Sequence, residues 1–176
     1  AQEAAANQAV VVPAFDAAPT IAGQGTVAAE IVADLRQAPE VVVVPVGGGG
    51  LLSGVATWFA EHYPATRVVG VEPAGAACTV AALQRGEPVT LDRLDSFVDG
   101  AAVRRVGDLT FQVIQSRGLE VTTVAEGAVC TEMLALYQTD GIIAEPAGAL
   151  ASAALADGLA VERGQTVVAI VSGGNN

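Results

Sequence analysis

Four consecutive glycines, Gly47 to Gly50, follow a run of β-branched residues and precede an apolar-periodic segment. Such a strand, turn and helix leave several backbone N–H groups without a partner at a helix N-terminus, where the helix dipole also favours an anion. Glycine suits this place because it has no Cβ to hold an oxygen away and because it adopts positive φ easily. The segment therefore predicts a phosphate-binding loop; a strand–helix turn without a ligand is the alternative.

The glycine loop matches neither of two common nucleotide-binding patterns. A Rossmann fingerprint would need a third glycine where Leu52 stands, and a Walker loop would need Gly-Lys-Ser/Thr where Leu51 follows the glycines. The chain contains no lysine, and its 8 basic residues are all arginines. ATP and NAD are therefore poor candidates.

Composition limits the remaining possibilities. With 176 residues, 52% of them hydrophobic, the chain can form one domain with a substantial core. A formal net charge of −11 argues against nucleic acid and anionic membranes as partners. The longest uncharged stretch contains Pro45 and five glycines, so it does not predict a membrane-spanning helix. Cys78 and Cys130 lack metal-ligand spacing and are interpreted as reduced thiols packed against helices in a cytoplasmic protein.

Strand and helix patterns alternate along the chain. Predicted strands cover residues 10–12, 41–46, 67–72, 121–124, 142–144 and 166–171. Predicted helices cover approximately 26–38, 51–63, 75–85, 108–117, 126–138 and 146–157, with Pro146 in the first turn of the last one, and residues 1–8 resemble a helix tail. Such alternation predicts an α/β fold, a doubly wound and mostly parallel sheet with helices on both faces.

Four notable groups fall where predicted strands end: Gly47–Gly50, Glu72, Glu145 and Ser172–Asn175. Ligands of doubly wound sheets bind beyond the carboxyl ends of the strands. Because all four groups fall at strand ends, they predict one ligand site. Residues 86–106 are predicted to cross this site as a long loop.

A series of motifs resembles a known family: Val44–Leu51, Val71–Pro73, Asp99–Gly100, Glu145–Ala149 and Ser172–Asn175, in that order. They resemble the fold-type II pyridoxal-phosphate (PLP) enzymes, in particular threonine dehydratase (threonine ammonia-lyase) and serine racemase. The segments 97–103 and 172–176 are most similar to the biosynthetic threonine dehydratases of actinobacteria. The resemblance implies the large-domain part of such an enzyme, with PLP as its cofactor.

The resemblance also implies roles for individual residues. Gly47, Gly48, Gly49 and Gly50, with the amide of Leu51, would hold the cofactor phosphate. Ser172 would face the pyridine nitrogen, and Gly100 would place backbone beside the ring. Glu145 matches a residue near the ring, although a glutamate there also suits a helix start.

One further residue matches a cation site that some relatives carry. Glu72 corresponds to the first ligand of that site, but Cys78 stands where a further carboxylate is found. Because hard cations prefer oxygen ligands, no strong metal site is expected, and Glu72 is a weak candidate.

The family reaction begins from a lysine Schiff base, and this sequence offers no lysine for it. The resemblance therefore implies that residues 1–176 form a single PLP-binding fragment of the catalytic domain. The lysine-bearing part, and any regulatory domain, would lie on segments not included in it. The fragment alone is expected to be inactive.

The resemblance implies that the parent enzyme converts threonine to 2-oxobutanoate and ammonia in isoleucine biosynthesis. It would act on an amino-acid substrate, as a cytoplasmic homodimer or homotetramer, without nucleic acid or membrane partners. Serine dehydratase or serine racemase activity remains an alternative, as does a non-catalytic module that binds a phosphorylated ligand.

Overall fold

The computed structural model describes residues 9–175, and a four-stranded parallel sheet lies at the centre of that range. The strands are β1 (Val41–Pro45), β2 (Arg67–Pro73), β3 (Glu120–Val124) and β4 (Val167–Ala169). Their order is β3-β2-β1-β4, so β2 and β4 flank β1. The α/β prediction with a parallel sheet is confirmed.

Helices connect the strands and cover both faces of the sheet. They are α1 (Ala18–Gln24), α2 (Thr26–Leu35), α3 (Gly50–His62), α4 (Cys78–Arg85), α5 (Asp108–Ser116), α6 (Glu126–Ala135) and α7 (Leu150–Ala156). Short 3-10 turns cover Ala74–Ala76 and Asp99–Ala101, and a π-turn covers Leu136–Asp140. None of the helices between residues 9 and 175 combines the length and the apolar character that crossing a membrane requires.

The central strand β1 is buried on both faces, and alternate residues serve two hydrophobic cores. Val41 and Val43 pack in the core that α6 and α7 cover. Val42 and Val44 pack in the core formed with α2, α3, α4 and α5. A strand whose side chains are buried on both sides needs a continuous apolar sequence, and Val-Val-Val-Val provides it.

Two strand predictions were wrong. Residues 10–12 form no strand, and the side chains of Val10, Val11 and Val12 are 89%, 58% and 78% exposed. Residues 142–144 form no strand either, and Ile143 is 62% exposed. The preference of β-branched residues for strands depends on packing against neighbouring strands, and the exposed side chains at residues 10–12 lack such packing. The proposed helix tail at residues 1–8 lies outside the described residues.

The chain order of the strands defines where a ligand site belongs. From β1 the chain moves to β2 and β3 on one side of the sheet, and it then returns to place β4 on the other side. The connections thus diverge at the carboxyl ends of β1 and β4. Crevices at such switch points are the usual ligand sites of open α/β sheets.

A carboxylate from a distant segment caps α5 beside this switch point. Asp16 accepts hydrogen bonds from the backbone N–H groups of Asp108 (3.0 Å), Leu109 (2.9 Å) and Thr110 (3.1 Å). These are N–H groups of the first turn, which have no partner within the helix. The negative charge also faces the positive end of the helix dipole.

We expect the substitution Asp16→Ala to lower the free energy of unfolding by about 1–2 kcal/mol, because three helix-end donors would lose their acceptor. Urea-induced unfolding measures this change. Asp34→Ala is the matched control, since Asp34 is exposed on α2 and its removal should change the free energy by less than about 0.5 kcal/mol. Equal effects of the two substitutions would contradict the capping role.

Candidate functional site

The glycine loop joins the end of β1 to the start of α3 and presents free donors. Gly49 has a φ of 88°, in the left-handed region that favours glycine, and it immediately precedes α3. Within residues 9–175, the N–H groups of Gly47, Gly48 and Gly49 donate to no protein acceptor. The first N–H groups of α3 also lack intrahelical partners. The loop and helix end therefore form a cluster of donors suited to an anion.

These donors border a cavity of about 360 Å³ at the switch point of the sheet. Its volume lies within the range of roughly 300–1,000 Å³ typical of small-molecule sites. The structure brings seven of the eight predicted cofactor residues to its wall: Gly47, Gly48, Gly49, Gly50, Leu51, Gly100 and Ser172. Residues from the ends of β1 and β4 and from the loop at 86–106 thus meet around one space.

Glu145 lies next to this wall rather than on it. Its Oε1 atom would be 3.2 Å from a Cβ placed on Gly100, and its Oε2 accepts a hydrogen bond from the N–H of Asn175 at 3.2 Å. The backbone N–H of Glu145 also donates to the carbonyl of Gly173 at 3.1 Å. Glu145 therefore connects the segment around Gly100 to the residues that follow Ser172.

The prediction that Pro146 begins a helix was wrong, because α7 begins at Leu150. Residues 146–149 form turns, in which the N–H of Ala149 donates to the carbonyl of Glu145 at 3.1 Å. This arrangement keeps Ala147 against Gly100, where a Cβ on the glycine would lie 2.9 Å from the alanine Cβ. Close packing around Gly100 thus requires its lack of a side chain.

Glu72, the weak metal candidate, uses its carboxylate within the protein. It is fully buried and accepts hydrogen bonds from the N–H groups of Thr79 (2.7 Å) and Val80 (2.9 Å) in the first turn of α4. Burial raises its pKa, while these two hydrogen bonds act in the opposite direction. Across residues 9–175, no group of three or more His, Cys, Asp or Glu side chains is placed to hold a metal ion.

Sequence reasoning missed several residues of the wall: Ala14, Phe15, Gln24, Val103 and Ala147. Phe15 is the most prominent, because its ring covers Gly48 so closely that a Cβ there would overlap the ring. Its neighbour Asp16 caps α5, so the same turn contacts both the loop and the adjacent helix. Nothing in the local sequence indicates these contacts, because they join segments far apart in the chain.

These features are those of an α/β protein that holds a phosphorylated ligand at a sheet switch point. A profile of the family described as "Pyridoxal-phosphate dependent enzyme" matches residues 1–173. The chain belongs to the pyridoxal-phosphate dependent enzyme family. The prediction of PLP as the cofactor is confirmed at the level of this family.

Curated relatives in this family share much of the sequence. "L-threonine dehydratase biosynthetic IlvA" of Mycobacterium tuberculosis (strain ATCC 25618 / H37Rv) is 58% identical over 170 residues, covering 96% of this chain and 39% of the relative. The protein of the same name from Bacillus subtilis (strain 168) is 48% identical over 162 residues, covering 92% of this chain and 38% of the relative. This chain thus spans about two fifths of the length of these relatives.

Solved structures show the same fold. The processed form of threonine deaminase isoform 2 from Solanum lycopersicum has a TM-score of 0.89 and 35% identity, covering 99% of this chain and 51% of that one. Maize serine racemase has a TM-score of 0.90 and 29% identity, covering 99% of this chain and 54% of that one. Backbone similarity alone therefore does not distinguish deaminase from racemase.

The residues present fit a phosphorylated pyridine cofactor. Free N–H groups surround the glycine end of the cavity, where a Cβ on Gly48 or Gly50 would meet Phe15. Ser172 places a hydroxyl-bearing residue on the same wall, which Gly100 also lines. Such a ligand needs two polar features. One is a cluster of N–H donors for its phosphate, here the cup formed by Gly47–Gly50 and Leu51, and the other is a hydroxyl that can hydrogen-bond to its ring nitrogen.

We expect Gly48→Ala to weaken PLP binding by about tenfold or more, because the new Cβ displaces either the loop or Phe15 and misaligns donors to a charged phosphate. Equilibrium dialysis against PLP measures the change. Gly127→Ala is the control, since Gly127 lies on α6 with nothing near its added Cβ. Unchanged PLP affinity in Gly48→Ala would contradict phosphate binding by the glycine loop.

The two free cysteines should differ strongly in reactivity. Burial, assisted by the neighbouring Glu72, raises the pKa of the Cys78 thiol to about 12, whereas Cys130 is exposed rather than packed against helices as expected. Because the thiolate is the reactive form, Cys78 should stay inert as pH rises through the mildly alkaline range. An Ellman titration of the native protein should detect Cys130 alone, and denaturant should reveal the second thiol. Two rapidly reacting thiols in the native protein would contradict this assignment.

Proposed function

We propose that this chain is part of an L-threonine ammonia-lyase, which converts threonine to 2-oxobutanoate and ammonia in isoleucine biosynthesis. The observation that carries the proposal is the meeting of the glycine cup and Ser172 on one cavity wall. It occurs in a chain 58% identical to a biosynthetic threonine dehydratase. The two facts together support the proposal better than either does alone, because the fold also occurs in a serine racemase.

In this proposal the chain binds and orients the cofactor. The N–H groups of Gly47–Gly50 and Leu51 hold its phosphate, and Gly100 leaves room for its ring. When bound, PLP supplies an electron-withdrawing ring that can stabilise negative charge at the α-carbon of an amino acid. Glu145, next to the wall, would hold the segments on either side of the ring in place.

Ser172 would set the electronic state of the pyridine nitrogen. A hydroxyl carries no charge to favour a protonated nitrogen, whereas a carboxylate in its place would favour one. The ring then withdraws electrons less strongly, which suits β-elimination better than transamination. Ser172 thus contributes to the choice of reaction as well as to binding.

The lysine that carries the cofactor in this reaction would come from polypeptide outside residues 1–176. The composition supports this part of the proposal, because the 176 residues contain arginine as their only strongly basic residue type. The coverage also supports it, because the chain spans 39% of its relative from M. tuberculosis. Residues 1–176 would therefore be a cofactor-binding part of the catalytic domain.

We also propose that the enzyme acts on an amino acid in the cytoplasm, as a homodimer or homotetramer. The net charge of −11 supports the absence of nucleic acid and anionic membranes among its partners. Light scattering coupled to size exclusion would measure the assembly directly.

The complete product of the encoding gene, supplied with PLP, should form 2-oxobutanoate and ammonia from L-threonine. Ser172→Ala should retain PLP but lower kcat by about 10- to 100-fold, as expected for the loss of one hydrogen bond to the reacting system. Ser172→Thr retains a hydroxyl and should retain more activity than Ser172→Ala. Both effects are measured by the rate of 2-oxobutanoate formation, followed as NADH consumption when an added dehydrogenase reduces the keto acid.

Three results would contradict the proposal in different ways. Interconversion of serine enantiomers without threonine turnover would indicate a racemase, and pyruvate formation from serine alone would indicate a serine dehydratase. Binding of PLP without turnover of any amino acid would indicate a non-catalytic module.

A further inference from the structure

The carbonyl groups of Gly47, Gly48 and Gly49 face donors from the elements around the glycine loop. The N–H of Ser53 in α3 donates to Gly49 O at 2.9 Å. The hydroxyl of Thr110 in α5 donates to Gly48 O at 2.7 Å, and the backbone N–H of Gly107, just before α5, donates to the same oxygen at the longer distance of 3.4 Å. The thiol of Cys78 in α4 lies 4.0 Å from Gly47 O. Of these four contacts, the one from the Thr110 hydroxyl is the shortest, and it alone comes from a side-chain oxygen.

The direction of a carbonyl determines the direction of the next N–H group. In a planar trans peptide the C=O of one residue and the N–H of the next point to opposite sides, and the described residues contain no cis peptide. With Gly48 O directed at α5, the N–H of Gly49 points away from α5. Gly49 lines the cavity, and this N–H has no protein acceptor within residues 9–175.

Four glycines do not fix this peptide direction by themselves. Glycine has the widest choice of backbone conformations, so the Gly48–Gly49 peptide could rotate and turn its carbonyl toward the cavity. A carbonyl oxygen there would repel a phosphate, whereas an N–H attracts it. The loop therefore needs an external contact that selects one of the two orientations.

Thr110 is well fixed to supply that contact. Its side chain is fully buried, and a Cβ on Gly49 would lie 3.0 Å from the threonine Cβ. Its Oγ1 atom lies 2.7 Å from Gly48 O and 3.2 Å from Gly107 O, and the shorter contact is the one to the loop. Its own carbonyl accepts a hydrogen bond from the Ser53 hydroxyl at 3.3 Å, which ties α5 to α3.

We propose that Thr110 is a positioning residue for the cofactor phosphate. Its hydroxyl holds Gly48 O outward and thereby directs the N–H of Gly49 into the cup, without touching the cofactor. This inference rests on the proposed cofactor site. It adds a residue that neither the glycine motif nor the cavity wall includes.

The test compares PLP with pyridoxal, which lacks the phosphate, on the complete gene product. Because both compounds carry the same ring and aldehyde, the ratio of their dissociation constants isolates the phosphate contacts. Thr110→Val keeps the shape but removes the donor. It should raise the dissociation constant of PLP by about 3- to 30-fold, the range expected for one lost hydrogen bond near a charged group, and leave that of pyridoxal unchanged.

Matched variants separate positioning from general stability. Thr110→Ser restores the hydroxyl and should restore PLP affinity to near the wild-type value. Ser53→Ala removes the buried hydrogen bond to Thr110 O but keeps the donor to Gly48 O. It should therefore lower the melting temperature without changing the ratio of the PLP and pyridoxal dissociation constants. If Thr110→Val does not fold, Thr110→Cys is used instead. Because a thiol is a weaker donor than a hydroxyl, this variant should give a ratio of PLP to pyridoxal dissociation constants between those of wild type and a variant without the donor.

The outcomes are distinct. A selective loss of PLP affinity in Thr110→Val, recovered in Thr110→Ser, supports the inference. Unchanged PLP affinity, or an equal loss for PLP and pyridoxal, overturns it while leaving the proposed function intact. A wild-type protein that binds both compounds equally has no phosphate cup, and that result overturns the proposed site together with the role of Thr110.

Discussion

The structure depends on one constraint: backbone N–H groups at the end of β1 must stay free of protein acceptors. Free donors are unusual inside a folded chain, because unpaired backbone groups away from water are costly. Here the cost is limited, because the donors border an open cavity. The carbonyls of Gly48 and Gly49, in contrast, accept hydrogen bonds from Thr110, Gly107 and Ser53, and the Cys78 thiol lies 4.0 Å from Gly47 O. Within residues 9–175 the carbonyls face donors while the N–H groups of Gly47, Gly48 and Gly49 have no acceptor, and this arrangement suits the loop to an anion.

The surrounding elements maintain this asymmetry. The valines of β1 fix the start of the loop between two cores. The turn containing Phe15 and Asp16 covers Gly48 and caps α5, and α5 in turn supplies Thr110. Glu72 caps α4, which supplies Cys78. Each helix that contacts the loop carbonyls from outside is therefore itself fixed by a carboxylate at its N-terminus, which limits movement of the loop.

The parts of the fold that could be derived from sequence are those with local causes. The valine run, the glycines and the apolar-periodic segment after them define β1, the loop and α3 without reference to the rest of the chain. Ser172 and Gly100 came from the family resemblance and lie on the same wall as the glycines. The strand predicted at residues 10–12 was wrong because composition alone cannot supply a neighbouring strand.

The remaining contacts have no local signal. Asp16 caps a helix that begins at Asp108, 92 residues away, and Thr110 bonds to Gly48 across 62 residues. An aspartate in a turn and a threonine in a helix are each compatible with many roles. Only the three-dimensional arrangement shows which backbone groups they reach, so the supporting residues of the cup could not be predicted from the chain.

A crystal structure of the complete gene product with PLP would show directly whether the glycine loop binds the cofactor phosphate. We expect phosphate oxygens within about 3 Å of the backbone nitrogens of Gly48, Gly49 and Gly50, the range of a normal hydrogen bond. We also expect the pyridine nitrogen beside the hydroxyl of Ser172. A phosphate bound elsewhere, or a loop whose Gly48 carbonyl points into the cavity, would contradict these expectations.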